Sequence, residues 1–323
     1  MRTAFVTGGS GFIGGALIRR LVRDGWAVRA LARSDDAAAK VGGDGAEAVR
    51  GDLSDPTAMA AGAHGAEVAF HAAATLGDWG RRADFVAGNV DGTGNVIAAA
   101  RRAGVRRLVH VGTEAAVLAG DPMVMIDERQ PLRPDSPALY ASTKAQAEAI
   151  VLAANGGGLE TVVVRPRFVW GRGDTTLLPM LSALVRDGQF AWIGSGRHLT
   201  STTHVDNTVE GLMLGAERGA PGSAYFVTDG TPVVFRDFVT RMLATQDLTP
   251  PTRSIPKPAA HALAVAGETA WGALPLPGRP PLTRFAYWVS ALETTIDISR
   301  ARAELGYAPV TTIDEGLAEM RES

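Results

Sequence analysis

The sequence predicts an α/β protein with a doubly wound parallel sheet, followed by a smaller and less regular C-terminal domain. Short β-type runs alternate with helical stretches through the first half, which is typical of parallel strands joined by crossover helices. A glycine-rich turn separates the first strand from the first helix, and Pro and Gly become frequent after about residue 165. We therefore expect one domain over residues 1–165 and a second over residues 166–323, with some segments of the second half returning to the first domain.

The elements of the first half follow from the hydrophobic pattern. The predicted strands are residues 3–7, 26–32, 46–50, 67–72, 107–112 and 159–164. Strands covered by helices on both faces are buried on both faces, which explains near-continuous apolar runs such as residues 159–164. The predicted helices are residues 11–24, 89–103, 138–154 and 177–186, and glycines at 104 and 156–158 end two of them.

The composition limits the classes of function. The chain has 323 residues, of which 46% are hydrophobic and 20% are charged, as in an ordinary soluble globular protein. The chain has 32 Lys and Arg and 34 Asp and Glu, so its net charge is only −2. We therefore expect no nucleic-acid partner. The absence of Cys excludes thiol catalysis, Cys-ligated zinc and disulfides.

Two segments bear on the location of the protein. Residues 1–7 run straight into the glycine turn and are too short for the apolar region of a signal peptide, so we expect a cytoplasmic protein. Residues 259–276 carry few charges, but Glu268 interrupts them and each uncharged run is well short of the ~20 residues of a membrane span. We expect a core or pocket-covering helix there and no stable membrane insertion.

The glycine turn between the first strand and the first helix predicts a phosphate site. Gly8 allows a tight turn, Gly11 lets backbone N–H groups approach a pyrophosphate, and Gly14 permits close packing of helix on strand. The N-terminus of the helix adds partial positive charge. A tight turn that binds nothing is the alternative, but the βαβ unit that follows favours a dinucleotide bound to a Rossmann domain.

The end of the second strand bears on which dinucleotide binds. Ala32 stands where an acid would accept hydrogen bonds from the ribose, whereas Arg33 can bind a 2′-phosphate. This favours NADP over NAD, the alternative being that Arg33 is a solvated surface arginine and the cofactor is NAD. Asp52, after the third strand, is a candidate adenine contact, or else caps the next turn.

Tyr140 and Lys144 lie four residues apart at the start of a predicted helix and therefore share one face. A phenol has an unperturbed pKa of ~10, and a neighbouring ammonium lowers that pKa by stabilising the phenolate. The pair is a candidate for acid/base chemistry because it follows a glycine-rich nucleotide motif. A surface Tyr and a surface Lys are the alternative.

Together these motifs resemble the extended short-chain dehydrogenase/reductase family over nearly the whole chain. Segments similar to the family's motifs occur in the family's order at residues 7–14, 51–53, 71–74, 89–93, 140–144, 165–171, 204–207 and 305–309. The resemblance implies that Tyr140 is the acid/base and that Lys144 orients the nicotinamide ribose and lowers the pKa of Tyr140. It also implies that a Ser or Thr at the end of strand five holds the substrate oxygen.

Thr113 is the candidate at that strand end, with a strand-filling role as the alternative, and Gly112 stands where the family often has a second Ser. The resemblance further implies a homodimer that pairs helices such as residues 138–154, and it requires no metal. The remaining cofactor contacts that it implies are Phe12, Ile13, Leu53, Ala72, Ala73 and Pro166.

Within the family, the sequence favours a reductase or dehydrogenase of hydrophobic alcohols. Elimination of water is disfavoured because Glu114 follows Thr113 but Ala115 stands where a second acid is needed. No Arg lies in the segment just before His204 to clamp a diphosphate, although Arg197 is near enough to keep a sugar-nucleotide epimerase open. Apolar side chains in the C-terminal part can line a pocket or form ordinary core; they are Trp271, Leu274, Leu276, Phe285 and Trp288.

We therefore predict an NADP-dependent oxidoreductase that transfers a hydride between nicotinamide and the carbonyl or secondary alcohol of a steroid- or flavonoid-like molecule. It resembles the 3β-hydroxysteroid dehydrogenase and dihydroflavonol reductase branch. One alternative is an NAD-dependent sugar-nucleotide epimerase. A second, less favoured alternative is a regulator that senses NADP(H) without chemistry, for which Thr113, Tyr140 and Lys144 would be dispensable.

Overall fold

The computed structural model describes residues 1–274 and 276–322. The strands are, in chain order, β1 (Thr3–Thr7), β2 (Ala27–Ala32), β3 (Glu47–Arg50), β4 (Val68–His71), β5 (Arg107–Val111), β6 (Met123–Ile126), β7 (Glu160–Pro166), β8 (Val169–Trp170), β9 (Trp192–Ile193), β10 (Leu199–Thr200), β11 (Thr203–His204), β12 (Ser223–Val227), β13 (Val233–Val234), β14 (Ser254–Ile255) and β15 (Thr294–Ile296). The helices are α1 (Phe12–Arg23), α2 (Asp35–Gly43), α3 (Pro56–Ala63), α4 (Arg82–Phe85), α5 (Gly92–Arg102), α6 (Leu139–Ala153), α7 (Leu177–Arg186), α8 (Val205–Arg218), α9 (Phe235–Ala244), α10 (Lys257–Ala273), α11 (Arg284–Ala291) and α12 (Ile313–Arg321).

A seven-stranded parallel sheet forms the centre of the first half, in the order β12-β7-β5-β4-β1-β2-β3. Its two faces bury alternate residues of the same strands. Ala4 and Val6 of β1 pack in one core with Leu17 of α1 and Leu212 of α8, whereas Phe5 packs in the other core, which includes residues of α3, α5 and α6. The doubly wound parallel sheet predicted from the sequence is confirmed.

The strand order reverses between β1 and β4. From β1 the sheet runs through β2 to β3 on one side, and from β4 it runs to β5 and β7 on the other. Crossover connections leave in opposite directions at such a point, so a crevice opens beyond the carboxyl ends of the two strands. The glycine turn and residues 72–75 both lie at that crevice.

One predicted helix begins earlier than the sequence pattern indicated. The expectation was a helix over residues 89–103, but α4 begins at Arg82, Val86–Asp91 is π-helical, and α5 then runs to Arg102. Asn89, inside the π-helical turn, accepts from Thr75 N at 2.7 Å and donates to Thr75 O at 3.2 Å and to Thr143 Oγ1 at 3.0 Å. The widened turn therefore lets one side chain tie together two segments near the crevice.

The second half contributes to both parts of the molecule. β12 pairs with β7 in the main sheet, and α8 packs against α1. A smaller mixed sheet has the order β13-β10-β15-β6 and lies beside a separate aromatic core that includes Trp170, Trp192 and Phe238. The irregular stretch after residue 165 is thus built from short strands and helices around its own core.

The segment predicted as a core or pocket-covering helix lies mainly on the surface. α10 buries Ala260, Ala264, Gly267 and Glu268, while Leu263 is 43% exposed. Small residues leave this helix a narrow buried stripe, so it is not a core helix, and its role in covering a pocket stays a prediction. No helix in the described part of the chain has both the length and the apolar character needed to cross a bilayer.

Candidate active site

The glycine turn after β1 is shaped for close approach of a phosphate. Gly8 has a φ of +76°, and a Cβ added there would lie 2.5 Å from Ala73 N. A Cβ on Gly14 would lie 2.1 Å from Gly8 O. Gly11 caps α1 without a side-chain hydrogen bond, and the first turn of α1 carries no acid. The N–H groups of that first turn are therefore available to an anion. These features fit a dinucleotide pyrophosphate.

The other cofactor residues predicted from the sequence lie around this turn. Half-buried Phe12 and Ile13 begin α1, and the backbone of Ala72 and Ala73 packs directly against Gly8. The structure places Pro166 at the carboxyl end of β7. Phe12 and Ile13 follow β1 and Ala72 and Ala73 follow β4, on the two sides of the strand reversal, and their contacts with a cofactor stay a prediction.

Arg33 and Asp52 follow the ends of β2 and β3, and both are exposed. Asp52 accepts hydrogen bonds from Ser54 N at 2.7 Å and Ser54 Oγ at 2.6 Å, which lower the pKa of its carboxyl, with a smaller contribution from the charge of Arg33. Asp52 therefore braces its own turn, the alternative that the sequence left open. Leu53 is half-buried, and its carbonyl accepts from Asn95 Nδ2 at 2.9 Å.

Thr113, Tyr140 and Lys144 are brought together beyond the carboxyl end of β5. Thr113 follows that strand, and the other two lie on the first turns of α6. Lys144 is 3% exposed and donates to Val111 O at 2.8 Å. Since β5 is next to β4 in the sheet, these side chains lie on the same edge as the glycine turn. This is the arrangement that an acid, an orienting ammonium and an oxygen-binding hydroxyl require.

The pKa of Tyr140 is raised rather than lowered in this structure. Burial raises it most and the charge of Glu114 raises it further, while a hydrogen bond with Thr113 opposes both. The Lys144 ammonium is turned toward Val111 O and is not among the groups that act on the phenol. The pKa-lowering role that the family resemblance implies for Lys144 stays a prediction.

Lys144 rests on a buried group of histidines that the sequence did not connect with it. His110 Nε2 lies 3.3 Å from Lys144 Nζ, and the ring of His71 is 5.0 Å from that of His110. Burial lowers the pKa of Lys144 to about 8 and that of His71 to about 3, and it holds that of His110 well below its usual range. The two histidines are therefore neutral near pH 7.

A buried ion pair lies directly beside Thr113. The Thr113 hydroxyl donates to Glu114 Oε2 at 2.8 Å, and Arg167 Nη1 donates to Glu114 Oε1 at 2.6 Å. Arg167 is fully buried and also donates to Thr200 Oγ1 at 3.2 and 3.1 Å. Sequence reasoning considered Glu114 only as an elimination acid and missed Arg167. The available indication was that two arginines, Arg165 and Arg167, follow the apolar run at residues 162–164.

Packing explains why position 112 is a glycine and not a second serine. A Cβ at this position would lie 2.7 Å from Val163 Cγ1 and 3.2 Å from both Arg165 Cγ and Glu148 Oε2. Glu148 and Arg165 form a second buried ion pair there. The space that a serine side chain would need is therefore filled from the neighbouring strand and from α6.

One aromatic side chain packs directly on Tyr140, and others lie in the aromatic core of the second half. The ring of Phe285, from α11, meets that of Tyr140 edge-on at 5.6 Å. Phe168 has a φ of +44°, and its ring stacks on that of Phe235 with a centroid distance of 6.1 Å. The ring of His198 also stacks on that of Phe235, with a centroid distance of 5.0 Å. Of the other lining candidates, Trp288 is buried, Trp271 is half-buried, and Leu274 and Leu276 are exposed.

The hydroxyl series before His204 is structural. Thr200 binds Arg167, Thr202 Oγ1 donates to Asp229 at 2.7 Å, and Thr203 Oγ1 donates to Val227 O at 3.0 Å. These side chains are buried and have partners within the fold, so they are not free to hold a diphosphate. Arg197 remains exposed at the surface.

One group of side chains has atoms close enough to hold a metal ion within residues 1–274 and 276–322: His204, Asp206 and Glu319. The two acids are exposed, and His204 Nδ1 already accepts from Asp206 N at 3.3 Å. As for the predicted homodimer, α6 buries Ala141, Ala145, Ala147 and Val151 within this chain and leaves Ile150 and Leu152 partly exposed. The homodimer stays a prediction.

Comparisons with known proteins agree with this geometry. The model of the 3-beta hydroxysteroid dehydrogenase/isomerase family matches residues 5–257. The chain is 47% identical over 323 residues to a 4-hydroxy-2-methyl-3-oxo-4-farnesyl-3,4-dihydroquinoline-1-oxide ketoreductase of Stigmatella aurantiaca, covering 100% of this chain and 96% of that protein. It is 38% identical over 325 residues to a 2-alkyl-3-oxoalkanoate reductase of Stenotrophomonas maltophilia, covering 98% of each.

A solved structure of MoeE5 in complex with UDP-glucose and NAD is similar with a TM-score of 0.74 and 25% identity, covering 99% of this chain and 97% of that one. The family match spans most of the chain and both relatives span nearly all of it. The chain therefore belongs to the 3-beta hydroxysteroid dehydrogenase/isomerase family, and it is an oxidoreductase of the extended short-chain dehydrogenase/reductase type.

Proposed function

We propose that this protein is an NADP-dependent ketoreductase for mainly hydrophobic small molecules, with Tyr140 as the acid/base. The observation that carries the proposal is the meeting of Thr113, Tyr140 and Lys144 on the sheet edge that also holds the glycine turn. A ketone that carries an apolar substituent is the substrate class, because Phe285 packs on the Tyr140 ring. The two relatives support this class, since one is named for a farnesyl-bearing ketone and the other for 2-alkyl-3-oxoalkanoates.

Tyr140, Thr113 and Lys144 have separate roles in carbonyl reduction. When bound, NADPH supplies the hydride for the carbonyl carbon. Tyr140 donates a proton to the carbonyl oxygen, and Thr113 lies beside that oxygen and fixes its position. Lys144, anchored on Val111 O, would hold the nicotinamide ribose. In the reverse direction Tyr140 accepts the proton of a secondary alcohol.

A Tyr140→Phe variant tests the chemistry. We expect loss of at least about a hundredfold in kcat for NADPH-dependent reduction of a 2-alkyl-3-oxoalkanoate, because general-acid transfer contributes ~10² to 10⁴ in rate. NADPH affinity should change little. Tyr287→Phe, which removes a hydroxyl from the buried Tyr287 of α11, is the matched control. Full turnover by Tyr140→Phe would refute the assignment of Tyr140 as the acid/base, whereas a wild-type protein that binds NADPH and reduces no ketone would favour a sensing role.

The cofactor preference rests on Arg33, which is exposed where a 2′-phosphate would lie, and on Ala32, which cannot accept from ribose hydroxyls. Fluorescence titration should show NADPH binding more tightly than NADH, and Arg33→Ala should lose at least about tenfold of that preference. Arg102→Ala, an exposed arginine at the end of α5, should keep it. Equal affinity of the wild type for NADPH and NADH would favour the NAD-dependent sugar-nucleotide epimerase. UDP-sugars would then be the first substrates to test.

A further inference from the structure

Asp78 links the segment after β4 to the start of α11. Its Oδ2 accepts from the Thr283 hydroxyl at 2.8 Å, and its Oδ1 accepts from Arg279 Nη1 at 3.3 Å. Thr283 is the N-cap of α11 and is 1% exposed, whereas the Arg279 side chain is exposed. Exposed ion pairs contribute little to stability, so the bond to buried Thr283 is the stronger of these two contacts.

The Thr283 hydroxyl has one orientation that satisfies both of its partners. A carboxylate accepts hydrogen bonds and cannot donate, so the single Thr283 proton points to Asp78. A lone pair of the same oxygen then accepts from Ala286 N at 3.0 Å. Asp78 therefore orients the side chain that caps α11, and loss of its carboxylate frees that hydroxyl to rotate.

A second carboxylate binds the same helical turn. Glu268 of α10 accepts from Arg284 N at 2.7 Å and pairs with the Arg284 guanidinium. This contact gives a structural role to the acid that interrupts the apolar segment of residues 259–276. Glu268 joins α11 to another helix of the C-terminal half, whereas Asp78 joins α11 to the N-terminal half, which carries Tyr140.

The chain before Asp78 is fixed beside the glycine turn. Ala73 packs against Gly8, and the backbone of Thr75 bonds to Asn89 at 2.7 and 3.2 Å. Asp78 follows three residues later. In the part of the chain that the structure describes, its two bonds are the only hydrogen bonds of residues 76–80. Asp78 therefore carries the fixed position of this segment across to α11.

Phe285 lies in the turn of α11 that Asp78 and Glu268 bind. It is the second residue of the helix, and its ring meets that of Tyr140 edge-on with the centroids 5.6 Å apart. The Phe285 side chain is half-buried, so part of it can still contact a bound molecule. Because Phe285 is two residues from Thr283, the position of its ring depends on the position of the cap.

We propose that Asp78 is a specificity-determining positioning residue, which fixes the first turn of α11 so that Phe285 forms an apolar wall for the substituent of the ketone. The inference rests on the proposed function, because it takes Tyr140 as the group that meets the carbonyl oxygen. In this role Asp78 acts through Phe285. Contacts with an apolar wall form equally in the ground state and the transition state, so loss of Asp78 should raise KM and leave kcat almost unchanged.

Asp78→Ala is the direct test, with NADPH-dependent reduction of 2-alkyl-3-oxoalkanoates as the assay. For a long 2-alkyl chain we expect KM to rise about fivefold, the factor that one net hydrogen bond contributes, and kcat to stay within about twofold. The 2-methyl compound has little apolar surface to meet Phe285, so its KM should stay within about twofold. NADPH affinity, measured by fluorescence titration, should not change. A general loss of structure would instead impair both ketones and NADPH binding.

Variants of Thr283 test the same bond from the helix side. Thr283→Val removes the hydroxyl and should raise KM for the long-chain ketone at least as much as Asp78→Ala does. Thr283→Ser keeps the hydroxyl and should match the wild type. Because Asp78 and Thr283 share one bond, the double variant Asp78→Ala/Thr283→Val should raise KM no further than Thr283→Val alone.

Two further measurements separate this role from a general effect of removing a carboxylate. In a Phe285→Ala background, Asp78→Ala should add no further rise in KM, since it acts through the ring that is already absent. Glu67→Ala removes a carboxylate that accepts from Arg2 at 3.1 and 3.0 Å, just before the amino end of β4. Glu67→Ala should leave both KM values unchanged.

The outcomes are distinguishable. An unchanged KM for the long-chain ketone in Asp78→Ala overturns the inference, and so does an equal rise for both ketones or a rise that persists without the Phe285 ring. Equal KM values for Thr283→Val and Thr283→Ser overturn it independently, even where Asp78→Ala does not fold. In each of these cases an inactive Tyr140→Phe leaves the proposed function in place. Full turnover by Tyr140→Phe, or a wild type that reduces no ketone, overturns the proposed function and the inference with it.

Discussion

Lys144 should make the folded protein more stable as the pH rises above 8. Burial lowers the pKa of this lysine from 10.5 to about 8. Below pH 8 the folded state carries a desolvated ammonium, and the unfolded state carries the same charge in water. Between about pH 8 and 10.5 the folded state has released the proton and the unfolded state has not. The unfolded state then binds more protons, so the free energy of unfolding rises with pH in that window.

The size of the effect follows from the shift. A drop of about 2.5 pH units corresponds to ~3 kcal/mol at 1.36 kcal/mol per unit. Lys144→Met replaces the ammonium with an apolar chain of similar length and removes this pH dependence. It also leaves Val111 O without the Lys144 hydrogen bond, which costs ~1 kcal/mol. At pH 7 the inactive variant should therefore be at least as stable as the wild type.

The assay is urea unfolding followed by circular dichroism from pH 7 to 10.5, with ΔG of unfolding extrapolated to water at each pH. The informative quantity is the wild-type value minus the Lys144→Met value, because all other titrating groups cancel. We expect it to rise by ~3 kcal/mol across the window. Lys40→Met, at an exposed position on α2, should give a difference that does not change with pH. A Lys144 difference as flat as the Lys40 one would refute the reasoning.

Three further predictions test packing at the site. Gly112→Ser should destabilise the fold by about 1–3 kcal/mol, because its Cβ would lie 2.7 Å from Val163 Cγ1. Urea unfolding midpoints measure the loss, with Gly94→Ala, which has open space around it, as the control. Equal midpoints for Gly112→Ser and the wild type would contradict the packing argument. Gly14→Ala should weaken NADPH binding at least about tenfold in a fluorescence titration, because its Cβ would meet Gly8 O at 2.1 Å and force the phosphate turn open; unchanged affinity would show that the turn does not hold the pyrophosphate. Phe285→Ala should raise KM for an apolar ketone about tenfold and leave NADPH affinity unchanged, because it removes the ring packed on Tyr140; an unchanged KM would place the substrate elsewhere.

The parts of the fold and site that the sequence predicted well are local. The glycine turn, the strand before it and the helix after it are neighbours in the chain, and so are Tyr140 and Lys144 on one helical face. Local spacing sets their geometry almost without regard to the rest of the molecule. The parallel sheet was predictable for a related reason, because burial on both faces leaves a continuous apolar run in each strand.

The features that the sequence did not reveal depend on partners far apart in the chain. Arg167 and Glu114 are separated by 53 positions, and either one alone reads as a surface charge. Asn89, in the widened turn, bonds to Thr75 and Thr143, which lie in two other segments of the chain. The threonines at positions 200, 202 and 203 are buried and form hydrogen bonds with Arg167, Asp229 and Val227, which are all distant in the chain. Spacing along one element cannot show which element will pack against it.

Burial around the site acts on the two proton-handling side chains in opposite directions. It raises the pKa of Tyr140 and lowers that of Lys144, so both changes disfavour an ammonium–phenolate pair. The Lys144 ammonium also bonds to Val111 O instead of approaching the phenol. The protein alone is therefore arranged to keep the phenol protonated, with Glu114 contributing to that state. We therefore expect stabilisation of the phenolate to require the bound dinucleotide, whose nicotinamide ribose Lys144 would hold in the proposed function.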